Sequence, residues 1–250
     1  MKLLRVLFFL VSVVILMGVC PPETPLERIS EEEKRIEKIV KIFKGKTYGI
    51  DVSEYQHVIA WNNLGWIRRG AGISFALIRA TVGEDRPDNY FTYNWRESRK
   101  NGFIRGAYHY YRPNENSMKQ ANNFIAKVEL SKGDLPPVLD IEALPDTTVQ
   151  TVERLRLGLK RWLKAVEDHY GVKPIIYTYE NFFKWHLQGH GFEKYPLWVA
   201  NYNPVWGPDI KGWKMWQFSR KGKIRGVKGN VDLNVFRGDL KKLRALTLKK

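Results

Sequence analysis

The chain of 250 residues contains one cysteine, Cys20. With no second thiol it can form no internal disulfide, and a metal site built from cysteines is excluded. It also lacks the G-x-x-x-x-G-K-[ST] phosphate loop and the G-x-S-x-G serine elbow. His186 and His190 are four apart, but the segment "HLQGH" lacks the acid of an H-E-x-x-H zinc site. These absences argue against phosphate-loop nucleotide binding, serine or cysteine hydrolysis and zinc catalysis.

The N-terminus is the longest apolar stretch of the sequence. Two basic residues precede residues 6–19, and Cys20 and two prolines follow. We predict a signal peptide or a membrane anchor over residues 1–20; the apolar stretch is short for a spanning helix, which needs about 20 residues. Lipid attachment at Cys20 is a third alternative, although Val19 stands where a small residue is usual. In each case we expect the remainder to be exported to the cell envelope or medium.

The composition is strongly basic, with 42 Lys and Arg against 26 Asp and Glu and a net charge of +16. Such a charge is typical of a protein that meets a polyanion, and it also occurs on ordinary solvated surfaces. Export argues against nucleic acid. We therefore expect an anionic cell-wall surface as a partner, with N-terminal membrane association as a further alternative, and a monomer.

The domain boundaries follow from changes in pattern along the chain. Residues 21–46 are predicted to be a spacer with one short helix, because Ser30 and Glu33 form a capping box before an apolar stripe. We expect this helix to pack on the following domain or to act as a stalk, with binding of a specific partner as the alternative. A single catalytic domain is predicted over residues 47–238, and a basic C-terminal tail over residues 239–250.

From residue 47 onward, short β-rich segments alternate with helix-like stretches at 92–101, 117–131 and 149–170. The predicted strands lie in "YGIDVS", "ISFALIRAT", "IRGAYHYY", "PPVLDIE", "KPIIYTY", "PLWVANY", "KMWQFS" and "NVDLNVF". This alternation predicts an α/β fold with a parallel sheet of βαβ units. Little room remains for helices between residues 196 and 236. The expected architecture is therefore an irregular TIM-like (β/α) barrel.

Polar residues recur near the predicted carboxyl ends of these strands. In a barrel of parallel strands those ends form one rim, where active sites are built. We therefore expect the following residues to converge: Asp51, Arg79, Tyr108, His109, Asp140, Glu142, Tyr177, Asn201, Gln217 and Asp232.

The segment "LPPVLDIEALP" places Asp140 and Glu142 two apart, so that both side chains point to the same side of a strand. Unpaired carboxylates in a core are costly, and pairing with buried Arg or Lys is the structural alternative. Neighbouring acids have a chemical use, because one retains a proton while another stays ionised, as glycoside hydrolysis requires. We predict Glu142, with its longer reach, as the acid. Binding of Mg²⁺ or Ca²⁺ by the acids is the competing chemistry.

Aromatic residues also lie at or near the predicted strand ends. Their rings can stack on the apolar faces of sugars while their polar tips form hydrogen bonds. We expect at least three of this set to face the cleft: Tyr108, Tyr110, Tyr111, Tyr177, Tyr179, Trp198, Tyr202 and Trp216.

The order and spacing of several motifs resemble the glycoside hydrolase family 25 lysozymes, which are N-acetylmuramidases. The resemblance runs from about Tyr48 to Phe236 and rests on "GIDVSEYQ", "FALIRATVG", "NGFIRGAYHYYRP", "LPPVLDIE", "PIIYTY", "YPLWVANY", "WQFS" and "GNVDLNVF". It implies a modified β/α barrel that cleaves the β-1,4 bond between N-acetylmuramic acid and N-acetylglucosamine in peptidoglycan, without a metal or other cofactor.

By the same resemblance, Glu142 is implied to be the proton donor and Asp140 its partner, which positions or stabilises the substrate. Asp51 and Asp232 match the other two acids of the family's cleft. The resemblance leaves open whether one of these anions or the substrate's own N-acetyl group attacks. Sugar-contacting positions are expected at Tyr108, Tyr110, Tyr177, Trp198, Asn201, Gln217 and Arg79.

Two positions depart from the family's pattern. Val82 stands where a Glu is frequent, and His57 stands where a Gly is usual. Neither departure changes one of the four acids. A catalytically silent peptidoglycan-binding protein and a β-glycosidase acting on chitin-like glycans are the alternative functions.

Overall fold

The computed structural model describes residues 29–67 and 70–249. The leader predicted over residues 1–20 lies outside this range. The helices are α1 (Glu31–Ile42), α2 (Phe91–Lys100), α3 (Ser117–Lys127), α4 (Val152–Tyr170), α5 (Glu180–Phe182) and α6 (Leu240–Leu246). The strands are β1 (Thr47–Val52), β2 (Trp66–Ile67), β3 (Ala71–Val82), β4 (Arg86–Pro87), β5 (Ile104–Tyr110), β6 (Val138–Asp140), β7 (Ile175–Tyr179), β8 (Leu197–Ala200), β9 (Met215–Gly222) and β10 (Val231–Phe236).

Eight of the ten strands in the described part of the chain close into a barrel, in the order β1, β3, β5, β6, β7, β8, β9, β10 and back to β1. Strands β2 and β4 are two-residue additions to β3. From β1 through β9 the barrel neighbours pair in parallel. The predicted α/β fold with an irregular barrel is confirmed.

Strand β10 is the exception, because it runs antiparallel to both β9 and β1. Only residues 223–230 join it to β9, and a parallel crossover needs about a dozen residues or more. The prediction that Asp232 lies at the carboxyl end of a strand is therefore wrong: it lies at the amino end of β10. The reversed direction still brings Asp232 to the expected rim, in register with Asp51.

Alternating side chains divide the core into two clusters. Inward residues such as Phe75, Leu77 and Val138 fill the barrel, while outward residues such as Ile50 and Val199 pack against the surrounding helices. Gly49 also points inward. A Cβ there would lie 2.5 Å from the Phe75 ring, so the glycine leaves room for that ring to fill the barrel.

Helix α4 shows how the sequence sets the outer layer. The Thr151 side chain accepts a hydrogen bond from the Arg154 N–H at the start, and Gly171 ends the helix with φ 66°. Between these caps one face carries the buried residues Leu155, Gly158, Leu159, Trp162, Leu163 and Val166. The helix predicted over 149–170 therefore begins a few residues later than expected, at its cap.

The predicted spacer helix, α1, packs on the barrel. Ile36, Ile39 and Val40 are buried in the outer cluster. After the helix, the Phe43 ring lies 5.6 Å from the Trp216 ring, and Arg35 donates to the carbonyl of Pro204 at 3.0 Å. The structure thus shows this helix packed on the domain.

The segment predicted as a basic tail contains helix α6. Asp239 caps it by accepting from the Lys242 N–H at 2.8 Å. Leu243 is fully buried among the inward side chains at the amino ends of the strands. This helix therefore closes the barrel at the end opposite the rim that holds the acids.

Within residues 29–67 and 70–249, none of the helices combines the length and the apolar character required to cross a bilayer.

Candidate active site

A cavity of about 420 Å³ opens at the rim formed by the carboxyl ends of the parallel strands. All four predicted acids lie in its wall: Asp51 from β1, Asp140 from β6, Glu142 just after β6, and Asp232 from β10. Residues far apart along the chain thus meet at one end of the barrel.

Asp51 is held by two carboxamides. Its Oδ2 accepts from Gln217 Nε2 at 2.8 Å and from Asn234 Nδ2 at 2.7 Å. The other atom of each amide is also engaged, since Tyr177 donates to Gln217 Oε1 at 2.8 Å and the Trp198 indole N–H to Asn234 Oδ1 at 2.8 Å. The aromatic donors thus determine the orientation of both amides, which hold the carboxylate in one position.

Asp51 and Asp232 form a carboxyl pair across strands β1 and β10. Burial raises the pKa of Asp51 to about 6, against the opposing effect of the two amide donors. Burial and the neighbouring Asp51 raise the pKa of Asp232 to about 9. Near neutral pH the pair therefore shares one proton, held mainly by Asp232, and carries one negative charge.

Asp140 and Glu142 form a second pair, hydrogen-bonded to each other. Burial raises the pKa of both, and the charge of Glu142 raises that of Asp140 further. Asp140 is buried, whereas Glu142 is half-buried and reaches the open part of the cavity. The raised pKa values favour a proton shared by the pair over two negative charges, and Glu142 is the member that can deliver it to a ligand.

Arg79 lies in the cavity wall, but its guanidinium is engaged. Nε donates to Asp88 at 2.8 Å and NH2 to Glu54 at 2.9 Å. All three side chains are largely buried, and Asn89 adds a hydrogen bond to Glu54 at 2.8 Å. These contacts hold the positive charge of Arg79 in one place beside the acids. That charge opposes the rise in the pKa of Asp140.

Aromatic rings form much of the remaining wall. Of the eight that the sequence pointed to, six line the cavity: Tyr108, Tyr110, Tyr177, Tyr179, Trp198 and Tyr202. Tyr111, just after β5, and Trp216, which points outward from β9, belong to the outer cluster instead.

Two residues expected at the rim do not face the cavity. Asn201 is not part of the wall; its Nδ2 donates to Glu180 at 2.6 Å, and its Oδ1 accepts from the Asn203 N–H. His109 points outward from β5 and is buried, within 2.8 Å of Thr81 Oγ1 and 3.1 Å of Gln120 Oε1. Burial lowers the pKa of His109 to about 4, so its imidazole stays neutral.

Several site residues were not predicted from the sequence. Asn234 lies two residues after Asp232 in "VDLN", and this spacing already placed both on one strand face. Three arginines also line the cavity: Arg112 from a loop, Arg86 from the two-residue strand β4, and Arg220 near the end of β9, where the pairing with β10 is irregular. Strand alternation gives no usable signal at these positions.

The structure shows where the two residues that depart from the family's pattern, Val82 and His57, are located. Val82 lies in the cavity wall. His57 is the one non-glycine residue with positive φ in the described part of the chain, at φ 53°. That conformation favours glycine.

No group of three or more His, Cys, Asp and Glu side chains among the described residues is arranged to hold a metal ion.

Comparison with known proteins places this geometry in a family. The family model described as glycosyl hydrolases family 25 matches residues 50–227, a segment that includes Asp51, Asp140 and Glu142. The chain belongs to this family. The resemblance seen in its motifs is thereby confirmed, and the protein is a glycoside hydrolase by descent.

This chain is 43% identical to the uncharacterized protein YegX of Escherichia coli K12 over 201 residues, which cover 79% of this chain and 72% of YegX. It is 33% identical to lysozyme M1 of Streptomyces globisporus over 214 residues, covering 79% of this chain and 70% of the lysozyme.

Solved structures of the family show the same fold. The bacterial lysozyme from Streptomyces coelicolor has a TM-score of 0.72 at 32% identity, covering 82% of this chain and 98% of the lysozyme. A family 25 glycosyl hydrolase from Bacillus anthracis has a TM-score of 0.71 at 26% identity, covering 82% and 95% of the two chains.

We expect Asp232→Asn to raise the free energy of unfolding near neutral pH. The carboxyl group has a pKa of about 9 in the folded protein and about 3.9 in an unfolded chain. Its contribution to stability is therefore complete below about pH 4 and is lost as the pH rises towards about 9. Asparagine stays neutral throughout, and we expect a gain of about 1–2 kcal/mol at about pH 8.

Urea unfolding at several pH values measures this difference, which should shrink as the pH falls towards about 4. Asp168→Asn, on the exposed face of α4, is the matched control and should show no such gain. An equal gain in both variants, or a gain that grows towards acid pH, would contradict the assigned protonation of Asp232.

Proposed function

We propose that this glycoside hydrolase is a lysozyme that hydrolyses the β-1,4 bond between N-acetylmuramic acid and N-acetylglucosamine in peptidoglycan. The observation that carries the proposal is the meeting, in one cavity lined by aromatic rings, of two carboxyl pairs that each contain one buried member, Asp51 or Asp140. The lysozymes among its relatives support the same substrate.

Glu142 is the general acid of this mechanism. Cleavage requires a proton on the glycosidic oxygen as the bond breaks. The Asp140–Glu142 pair retains a proton because burial and mutual repulsion disfavour two negative charges. Of the two, Glu142 is nearer the open cavity, while the buried Asp140 shares the proton with it.

Asp140 lines the cavity beside Glu142 and supports it in this proposal. Its carboxyl group is buried and hydrogen-bonded to that of Glu142. It therefore fixes the position from which Glu142 delivers the proton.

The Asp51–Asp232 pair supplies the negative charge. As the glycosidic bond breaks, positive charge develops on the sugar ring and its anomeric carbon. Asp51 keeps its carboxylate fixed through Asn234 and Gln217, so no reorganisation is needed when that charge appears. The rings of Tyr110, Tyr179 and other wall residues stack on the sugars and exclude water from the pairs.

Replacement of the acid tests the assignment. We expect Glu142→Gln to lower kcat on purified peptidoglycan by about 10²–10⁴-fold, because the amide cannot donate a catalytic proton. Release of reducing sugar measures the rate, and mass analysis of the released muropeptides identifies the sugar at the new reducing end. Glu129→Gln, an exposed change distant from the cavity, serves as control and should keep full activity.

The same assays distinguish the alternatives. Wall binding without solubilisation of glycan by the wild type would indicate a silent binding protein. Faster cleavage of chitin oligosaccharides than of peptidoglycan, assayed side by side, would indicate a chitin-directed glycosidase. Equal rates for the wild type and Glu142→Gln would overturn the proposed mechanism.

We also propose that residues 1–20 direct export, as a signal peptide or an N-terminal membrane anchor. The apolar stretch after two basic residues supports this placement. Fractionation of cells expressing the full chain should place the protein in the envelope or medium, and deletion of residues 2–20 should leave it in the cytoplasm. Identical fractionation of both proteins would exclude this role of the segment.

An anionic cell-wall surface is the further partner we propose, and the distribution of basic residues supports it. Helix ends and loops that precede parallel strands lie at the end of a barrel opposite its active site. That end carries exposed basic residues with no ion pair inside the described part of the chain: Lys44, Lys46, Lys132, Lys173, Lys214, Lys241, Lys242 and Arg244. Binding there leaves the cavity open.

Removal of three of these charges tests the surface. We expect Lys241→Gln/Lys242→Gln/Arg244→Gln to reduce cosedimentation with purified walls several-fold at low salt, and added salt to weaken binding of the wild type. Lys38→Gln/Lys160→Gln/Lys164→Gln removes the same net charge elsewhere and should bind more tightly than the first variant. Equal loss in the two triple variants would show that net charge, not this end of the barrel, determines binding.

A further inference from the structure

Arg220 carries a positive charge at the edge of the cavity that no described residue neutralises. It lies near the end of β9, is exposed, and forms part of the cavity wall together with Asp232. Its guanidinium carbon lies 5.3 Å from the centroid of the Tyr202 ring. Within residues 29–67 and 70–249 it makes no hydrogen bond and no ion pair with an acid.

The other arginines of the wall differ in this respect. Arg79 is paired with Glu54 and Asp88. Arg86 is paired with Glu54, and Arg112 is paired with Glu115 at 3.0 Å. Among the described residues, Arg220 is thus the wall arginine with no acid within ion-pair distance, so its whole guanidinium group is available to a ligand.

The position of Arg220 relative to the carboxyl pairs is also defined. The Tyr202 hydroxyl donates to Gln217 Oε1 at 2.6 Å, and the same Gln217 holds Asp51. A guanidinium over an aromatic ring keeps its N–H groups free to donate, in a fork that matches a carboxylate. Arg220 over Tyr202 therefore presents a carboxylate-binding group at the wall of the cavity that holds Asp51 and Asp232.

The proposed substrate offers a matching group on one of its two sugars. N-acetylglucosamine is uncharged, whereas muramic acid carries a lactyl ether on O3. That lactyl group ends either in a free carboxylate or in an amide to a stem peptide with carboxylates of its own. We propose that Arg220 binds a carboxylate on this O3 substituent and thereby selects muramic-acid glycans over neutral ones. The inference rests on the proposed function.

Three soluble substrates with the same sugar backbone test the proposal. The first is a glycan oligosaccharide freed of peptide, with its lactyl carboxylate intact. The second is the same oligosaccharide with that carboxylate converted to a neutral methylamide, and the third retains the stem peptide. The measured quantity is kcat/KM for the wild type, Arg220→Met, Arg220→Lys and the control Arg96→Met, an exposed arginine of α2.

We expect the wild type and Arg96→Met to prefer a carboxylate-bearing substrate over the methylamide by about tenfold, which corresponds to about 1.4 kcal/mol. In Arg220→Met this ratio should fall to about one, and in Arg220→Lys it should be intermediate, because lysine keeps the charge without the fork. A preference for the first substrate assigns the lactyl carboxylate, and a preference for the third alone assigns the stem peptide.

The ratio of kcat/KM on carboxylate-bearing and methylamide substrates separates carboxylate binding by Arg220 from an indirect effect of its charge. Arg220 also lowers the pKa of Asp232, so its loss could slow every substrate. A merely electrostatic or structural role would lower kcat/KM equally on charged and neutral substrates and leave the ratio intact, which would overturn the proposal. A wild type that cleaves all three substrates equally overturns this inference alone, whereas a wild type that cleaves none overturns the proposed function with it.

Discussion

The carboxylate of Asp51 inside the barrel is the constraint on which the site depends. A buried charge is tolerated only where donors compensate for lost water. Asn234 and Gln217 supply them, and each amide is in turn oriented by an aromatic donor, Trp198 or Tyr177. The inward side chains of β1, β8, β9, β10 and β7 therefore form one connected network. The cavity has its shape because these strands close on one another.

The antiparallel strand β10 places a second carboxyl group next to Asp51. Because β10 runs opposite to β1, Asp232 at its amino end lies directly across from Asp51 rather than at the other end of the barrel. The two carboxyl groups then share a proton near neutral pH, and the raised pKa values of Asp140 and Glu142 disfavour a second negative charge on the other pair. Two such pairs can provide both an acid and an anion, the combination that glycoside hydrolysis requires.

The two ends of the barrel divide stability from function. At the closed end, apolar residues such as Phe75, Met215 and Leu243 fill the interior. The open end contains buried acids with raised pKa values, Asp51 and Asp140. Such groups weaken folding, and they persist because the packed end and the outer helices stabilise the fold around them. Exposed basic residues around the closed end leave the cavity facing away from any anionic surface that they bind.

The sequence by itself determined the family, the α/β barrel and the four acids, because strand alternation and motif order are local properties that one chain displays directly. It also placed Tyr108, Tyr177 and Gln217 on the inward face. Only the tertiary structure decided that β10 is reversed, that α6 closes the barrel, and that Asn201 and His109 face away from the cavity. It also decided that Arg220 has no acidic partner among the described residues. These outcomes depend on which strands become neighbours and which charges meet, and such contacts join residues too distant along the chain for any local pattern to record.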